Sequence, residues 1–137
     1  MADQIQFELV SPERLLVSEP VEMVVVPGSE GDFGVLPGHA PLVSTVRPGV
    51  IAVFEGSKVV QRIFVAGGFA EVTGERCTVL AEQAMPVEDI DRAAAEAEIS
   101  AARDDLADAK DDAERAGVEA RIDAGEAKLA ALDNPVY

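Results

Sequence analysis

An antiparallel β-sandwich followed by an antiparallel two-helix hairpin is the fold class that this 137-residue chain predicts. Three observations carry the expectation. Up to Met85-Pro86 the chain reads as short apolar runs punctuated by Gly and Pro, many strands with closely spaced turns, the pattern of a sandwich or flattened barrel. After Pro86 no glycine occurs until Gly117 and alanine dominates. The apolar period changes at the same place, from two to the alternating three and four of a helix-pairing seam. The expected division is a β-sandwich over residues 1–85 and a helical hairpin over 86–137.

The first strand is QIQFELV, where Ile5, Phe7 and Leu9 point one way and Gln4, Gln6 and Glu8 the other. A β-branched run over 21–26 follows, ended by Pro27-Gly28. Further strands are expected over 50–54, 59–66, 69–72 and 77–81. Gly56-Ser57, Gly67-Gly68 and Gly74-Glu75 separate them as turns, the first and last closing hairpins. In the second half, the acids of VEDIDR suit a helix N-terminus, where the backbone dipole favours negative charge. One seam follows Ala95, Ile99, Ala102, Leu106 and Ala109; a second follows Val118, Ile122, Gly125, Leu129 and Leu132. Lys110-Asp111-Asp112 breaks them apart, with Asp111 and Glu114 spaced as a capping box. Two helices of about 20 residues result, each about 30 Å long. Their seams are rich in Ala and Gly and bury little area, so the hairpin is expected to be marginally stable alone.

Composition narrows function. A net charge of −15 disfavours nucleic acid and anionic lipid and favours protein partners. No apolar run is long enough to span a bilayer. The opening MADQIQFELV has no signal-peptide pattern, so the protein is expected to stay where it is made. Cys77, the single cysteine, alternates with Val79 and Ala81 and reads as a small buried hydrophobe. His39 is the single histidine, which excludes a multi-histidine metal site, and no Ser-His-Asp set is suggested by spacing. The many paired carboxylates, such as Asp104-Asp105, read as a solvated helix face. The glycine-rich run lacks the Gly-Lys-Ser/Thr ending of a phosphate loop. No catalytic constellation, metal set or cofactor motif emerges.

Residues 27–49 say most about function. They hold four prolines and five glycines, with Val35, Leu36, Leu42, Val43 and Val46 among them. Such a run cannot be helical. It predicts a bent strand pair with a rigid projecting tip, which suits a docking surface.

The same stretch resembles the signature of the ε subunit of F-type ATP synthases. The matching residues are Gly28-Ser29-Glu30-Gly31, Asp32, Gly34, Pro37-Gly38-His39-Ala40-Pro41-Leu42 and Arg47-Pro48-Gly49. VSPE at 10–13, GGFAEV at 67–72 and TVLAE at 78–82 flank it in the same order. The resemblance implies a non-catalytic central-stalk subunit that links the γ subunit to the membrane c-ring and couples proton flow to ATP synthesis. By carry-over, Glu30, Gly31, Asp32 and Phe33, with His39 close by, face the c-ring. Ser11 and Ser44 align with positions towards γ. Relatives also bind ATP through an Ile/Leu-Asp-x-x-Arg-Ala motif. Here Ile90 and Asp91 match its opening, but Ala94 holds the arginine position and Arg92 comes two places early, so no ATP binding is expected.

Relatives' hairpins also extend towards the α/β catalytic head and inhibit rotation through basic residues. Residues 88–137 carry 15 acidic and 6 basic side chains, so a weak or absent clamp is expected. The resemblance places the protein as a peripheral component on the cytoplasmic face of a bacterial inner membrane, and as a monomer when free. The competing reading is a non-enzymatic β-sandwich adaptor that dimerises through a coiled-coil hairpin. An acid-catalysed glycan hydrolase would need an aromatic-lined cleft, which a sequence with no Trp and one Tyr does not offer.

Overall fold

The structure is a computed structural model and describes residues 3–135 and 137. The protein forms two compact units: one runs through Pro86 and includes Tyr137, and the other spans 87–136.

The first unit is a ten-stranded β-sandwich. Its strands are β1 (Ile5–Val10), β2 (Leu15–Val21), β3 (Met23–Gly28), β4 (Gly31–Val35), β5 (Leu42–Thr45), β6 (Gly49–Glu55), β7 (Lys58–Ala66), β8 (Phe69–Val72), β9 (Arg76–Leu80) and β10 (Gln83–Pro86). One sheet has the order β2-β1-β9-β8-β5 and the other β10-β7-β6-β3-β4. All pairings are antiparallel except that of β1 with β9. The period-two pattern of β1 is realised: Ile5, Phe7 and Leu9 are buried, and the residues between them are partly exposed. They meet Val24, Val26, Ile51, Val53, Ile63 and Val65 of the second sheet in one apolar core that also contains Cys77 and Val79.

The 21–26 run resolves into two strands, since Val21 closes β2 and Met23 opens β3. Pro20 lies within β2, an edge strand, where a missing backbone donor is tolerated. Strand β3 continues through Pro27-Gly28 to Gly28, beyond the stop those residues suggest. The carbonyl of Pro27 accepts from Arg47 N–H at 2.9 Å, so the proline nitrogen faces the same way. Pairing with β6 on that side covers only Met23, Val24 and Val25, and no ladder donor is lost at Pro27.

The two strands of segment 27–49 do not pair with each other. Strand β4 pairs with β3 and β5 pairs with β8, so they form end strands of different sheets. Gly56-Ser57 closes the β6–β7 hairpin between Glu55 and Lys58, and Gly74-Glu75 lies in the β8–β9 turn. Gly67-Gly68 instead carries the backbone from one sheet to the other. Gly68 has φ +96°, and a Cβ there would sit 1.8 Å from the Leu80 carbonyl oxygen. Only glycine fits that corner.

The second unit contains a short 3₁₀ turn (Val87–Asp89) and the helices α1 (Arg92–Ala107) and α2 (Asp112–Asp133). They have 16 and 22 residues, because the break falls at 108–111 rather than midway. Asp91 caps α1 by accepting from Ala94 N–H at 3.1 Å. Asp111 caps α2 by accepting from Glu114 N–H at 2.7 Å, and Glu114 reaches back to Lys110 N–H at 3.3 Å. That is the expected reciprocal cap, displaced by one residue on its return bond.

Ala95, Ile99 and Ala102 of α1 and Val118, Gly125 and Ala131 of α2 are buried. A Cβ on Gly125 would approach Ile99 Cγ1 to 2.5 Å, so the absent side chain is what admits Ile99. Ion pairs reinforce the seam: Arg103 with Glu126 at 3.4 Å, and Arg121 with both Glu98 and Asp105 at 2.8 and 2.7 Å.

Candidate functional site

The β3–β4 turn forms the projecting tip. Ser29 and Glu30 occupy the turn, and Gly31, Asp32 and Phe33 begin β4. A guanidinium holds the turn in place. Arg47 donates from Nη1 to the Gly28 carbonyl at 2.6 Å and pairs through Nη2 with Asp32 Oδ1 at 2.5 Å. Ser29 N–H donates to the Thr45 carbonyl at 3.0 Å, and Thr45 Oγ1 donates to Ser29 Oγ at 2.8 Å. Gly28 is required beneath Phe33, because a Cβ there would come within 2.9 Å of the ring. The tip is therefore tied to β5 and to the β5–β6 link by at least five hydrogen bonds, the Arg47 N–H bond to Pro27 included.

Between the β4 and β5 edges lies an open groove of about 470 Å³, lined by Ser29, Glu30, Gly31, Asp32, Phe33, Leu42, Val43, Ser44 and Thr45. The structure thus brings Glu30, Gly31, Asp32, Phe33 and Ser44 together. It places His39 elsewhere, in the loop after the far end of β4. There His39 N–H donates to the Leu36 carbonyl at 3.1 Å, and the neighbouring Gly38 N–H donates to the Gly74 carbonyl at 2.8 Å. The His39 imidazole Nδ1 lies 2.7 Å from the Ala40 carbonyl, an acceptor to which Nδ1–H can donate. Ser11 sits in the β1–β2 turn and donates to the Arg14 carbonyl at 3.3 Å.

Sheet register assembles a further surface. Val10 is paired with Leu15 and Leu80, Leu80 with Phe69, and Phe69 with Thr45. These side chains share the outer face of the first sheet, and Val43 lies on the same face two residues from Thr45 along β5. Leu15, Val43, Phe69 and Leu80 are all exposed. An apolar row crossing four of the five strands of a sheet is uncommon on a free surface and makes this face a candidate interaction site.

Residues Ile90, Asp91 and Arg92 have structural partners. Ile90 is buried, Asp91 caps α1, and Arg92 forms a two-pronged pair with Asp133 near the end of α2. The hydrogen bond from Arg92 and then its charge, against an opposing effect of desolvation, hold the Asp133 carboxyl below its ordinary pKa.

Sequence reasoning missed the roles of Arg47, Thr45 and Tyr137. Arg47 was visible as the basic residue before Pro48-Gly49, but its grip on Asp32 requires the fold. The Tyr137 hydroxyl donates to Asp32 Oδ2 at 3.0 Å. Its pKa is raised by burial first, then by the hydrogen bond and charge of Asp32, with Arg47 opposing.

Comparison with known proteins fits this geometry. The family model of the β-sandwich domain of the ATP synthase delta/epsilon subunit matches residues 4–87, and that of the C-terminal domain of the ATP synthase epsilon subunit matches 89–135. Fold and matches define the class, a delta/epsilon-type subunit of a rotary ATP synthase. This protein belongs to the ATP synthase epsilon-chain family. It is 59% identical over 131 residues to the ATP synthase epsilon subunit of Rhodospirillum rubrum, with 96% of its own length and 98% of the relative's covered. It is 58% identical over 134 residues to that of Rhodospirillum centenum, with 94% and 92% covered. Among solved structures it resembles a component of the Euglena gracilis mitochondrial ATP synthase, OSCP/F1/c-ring, with a TM-score of 0.77 and 31% identity, over 94% of its own length and 81% of the other's. A component of the Tetrahymena thermophila mitochondrial central stalk and c-ring shares the fold at a TM-score of 0.63 and 12% identity, over 96% and 98%.

Proposed function

We propose that this protein is the foot of the central stalk of an F-type ATP synthase. It holds the γ subunit through the outer face of the first sheet and rests on the membrane c-ring through the tip at Glu30, Gly31, Asp32 and Phe33. It contributes no catalytic residue and transmits torque, coupling proton flow to ATP synthesis at the cytoplasmic face of a bacterial inner membrane. No helix among the described residues is long and apolar enough to cross a membrane, in keeping with a peripheral component.

The observation that carries this reading is the apolar row of exposed Leu15, Leu80 and Phe69 with half-buried Val10, across four strands and ending beside Thr45. A rigid sheet with an apolar outer face loses little freedom on docking. The tip is similarly pre-ordered by Arg47. Ser11 directly follows Val10 of that row in the β1–β2 turn, which supports its reading as a γ-facing position.

The hairpin acts as a weak brake or none. Arg92, Arg103 and Arg121 are engaged in pairs inside the hairpin, which leaves fewer cations for an acidic surface on the catalytic head. The roles taken by Asp91 and Arg92 equally disfavour ATP binding. Strong activation of hydrolysis on deleting 86–137 would contradict the weak brake.

Phe69→Glu and Leu80→Glu test the γ-binding face. Each should weaken binding of the full-length protein to an ε-depleted head containing γ by about tenfold or more, the scale of one buried apolar side chain. Unchanged affinity in both variants would remove that face from the account.

A further inference from the structure

Thr45 ends β5 and Gly49 opens β6, so residues 45–49 carry the backbone from the first sheet to the second. This link is fixed step by step. Val46 is buried in the core, its N–H donates to the Gly68 carbonyl at 3.1 Å, and it bridges to Gly28 at the end of β3. Arg47 N–H donates to the Pro27 carbonyl at 2.9 Å. The ring of Pro48 sets its own φ. A Cβ on Gly49 would stand 2.9 Å from Pro27 Cβ, so a bare backbone is what lets the link approach β3 this closely. From this base Arg47 reaches the tip, with Nη1 on the Gly28 carbonyl at 2.6 Å and Nη2 on Asp32 Oδ1 at 2.5 Å. The two acids of the tip are therefore not equivalent. Asp32 is paired within the protein, whereas Glu30 is exposed and forms no ion pair among the described residues. The Arg47–Asp32 pair is partly exposed, and such pairs add little to stability, so its value lies in the geometry it imposes.

We propose that Arg47 and Thr45 are positioning residues for the ring contact, and that Asp32 serves that contact through Arg47 rather than by meeting the ring itself. Thr45 closes the apolar row on the outer face of the first sheet, and it also holds Ser29 of the tip through its carbonyl and its hydroxyl. The face read as γ-binding and the tip read as ring-binding thus share one short, rigid connection, with Arg47 as its second anchor. Torque applied at one surface reaches the other through residues 45–47 without crossing a flexible loop. The role on the ring rests on the docking reading given above, whereas the bracing of the tip does not.

The test measures binding of the full-length protein to purified c-ring. Asp32→Asn should weaken it about two- to fivefold, the scale of an exposed ion pair. Arg47→Gln should weaken it about tenfold, because the charge-assisted bond to the Gly28 carbonyl is lost as well. The double variant should bind like Arg47→Gln alone, since Asp32 then has nothing to act through. Thr45→Val, which removes only the hydroxyl bond to Ser29, should give a smaller loss in the same direction. Urea midpoints, and affinity for an ε-depleted head containing γ, should stay at wild-type values throughout. A double variant weaker than Arg47→Gln by the full Asp32→Asn factor would make Asp32 a direct contact and overturn its assignment. A fall in urea midpoint or γ affinity that matches the loss on the ring would reduce Arg47 to a structural residue and overturn the positioning role. In the free protein the Ser29 amide, which donates to Thr45, should exchange about 3- to 10-fold faster in Arg47→Gln, the scale of one net hydrogen bond. Unchanged exchange overturns the bracing. Failure of the wild type to bind the c-ring overturns the docking reading and with it the role on the ring, and Ser29 exchange still decides the bracing.

Discussion

Two glycines in the same helix should respond to alanine in opposite directions. At Gly117 no heavy atom lies within 4 Å of a built Cβ, so Gly117→Ala should gain the full helix-propensity difference, up to about 1 kcal/mol. At Gly125 the same propensity gain meets a wall. The new methyl would stand 2.5 Å from Ile99 Cγ1 and 3.1 Å from its Cδ1. Ile99 is buried and β-branched, with essentially one χ1 rotamer in a helix, so the near atom cannot swing aside. Overpacking of this kind costs about 1–3 kcal/mol, which outweighs the propensity gain over most of its range. Gly125→Ala should therefore lower hairpin stability by about 1 kcal/mol while Gly117→Ala raises it by a similar amount.

Native-state amide exchange of α1 and α2 in the full-length protein reads both changes directly, since about 1 kcal/mol is roughly a fivefold change in opening. Ile99→Ala provides the control: with the side chain removed, Gly125→Ala should become stabilising, a coupling that a double-mutant cycle isolates. If Gly125→Ala alone slows exchange as much as Gly117→Ala does, the close approach of the two helices is not as described.

Other expectations follow from single sites. Gly68→Ala should destabilise the sandwich by roughly 3 kcal/mol, through positive φ and collision with the Leu80 carbonyl, visible as a lower urea midpoint. Burial pushes the Cys77 thiol up to about 12, so it should resist a thiol reagent at neutral pH and react only as the sandwich opens. The Asp133 carboxyl is held below its usual range by Arg92, so its contribution is present above the unfolded value of about 3.9 and lost as pH falls through the lower folded value. Amide exchange at the ends of α1 and α2 should rise over that acid range in the wild type, and Arg92→Gln should abolish the effect.

Both architectural halves were legible because each follows from a local period: alternation in Ile5, Phe7 and Leu9, and the three-four spacing through Ala95, Ile99 and Ala102. What escaped was whatever depends on a partner strand. Strand β2 hides behind Ser18, Glu19 and Pro20, which are acceptable only because β2 is an edge. Pro27 looks like a stop until Arg47 is found taking up its carbonyl. At the candidate site, the tip residues were readable from a dense Gly-Pro segment. The apolar row was not, because Leu15, Val10, Leu80 and Phe69 are scattered in sequence and only register aligns them. His39 illustrates the converse: close to the tip in sequence, it lies beyond the far end of β4, because an extended strand separates its two ends by its full length.

The central claim is that this foot couples rotation to the ring through its tip. Its most direct test is proton-driven ATP synthesis by an ε-depleted complex in vesicles, restored with the wild-type protein or with Glu30→Lys or Asp32→Lys. Restoration by the wild type together with reduced synthesis in both variants, at matched binding to γ, is the result the account requires. Full synthesis with both reversed charges would contradict it.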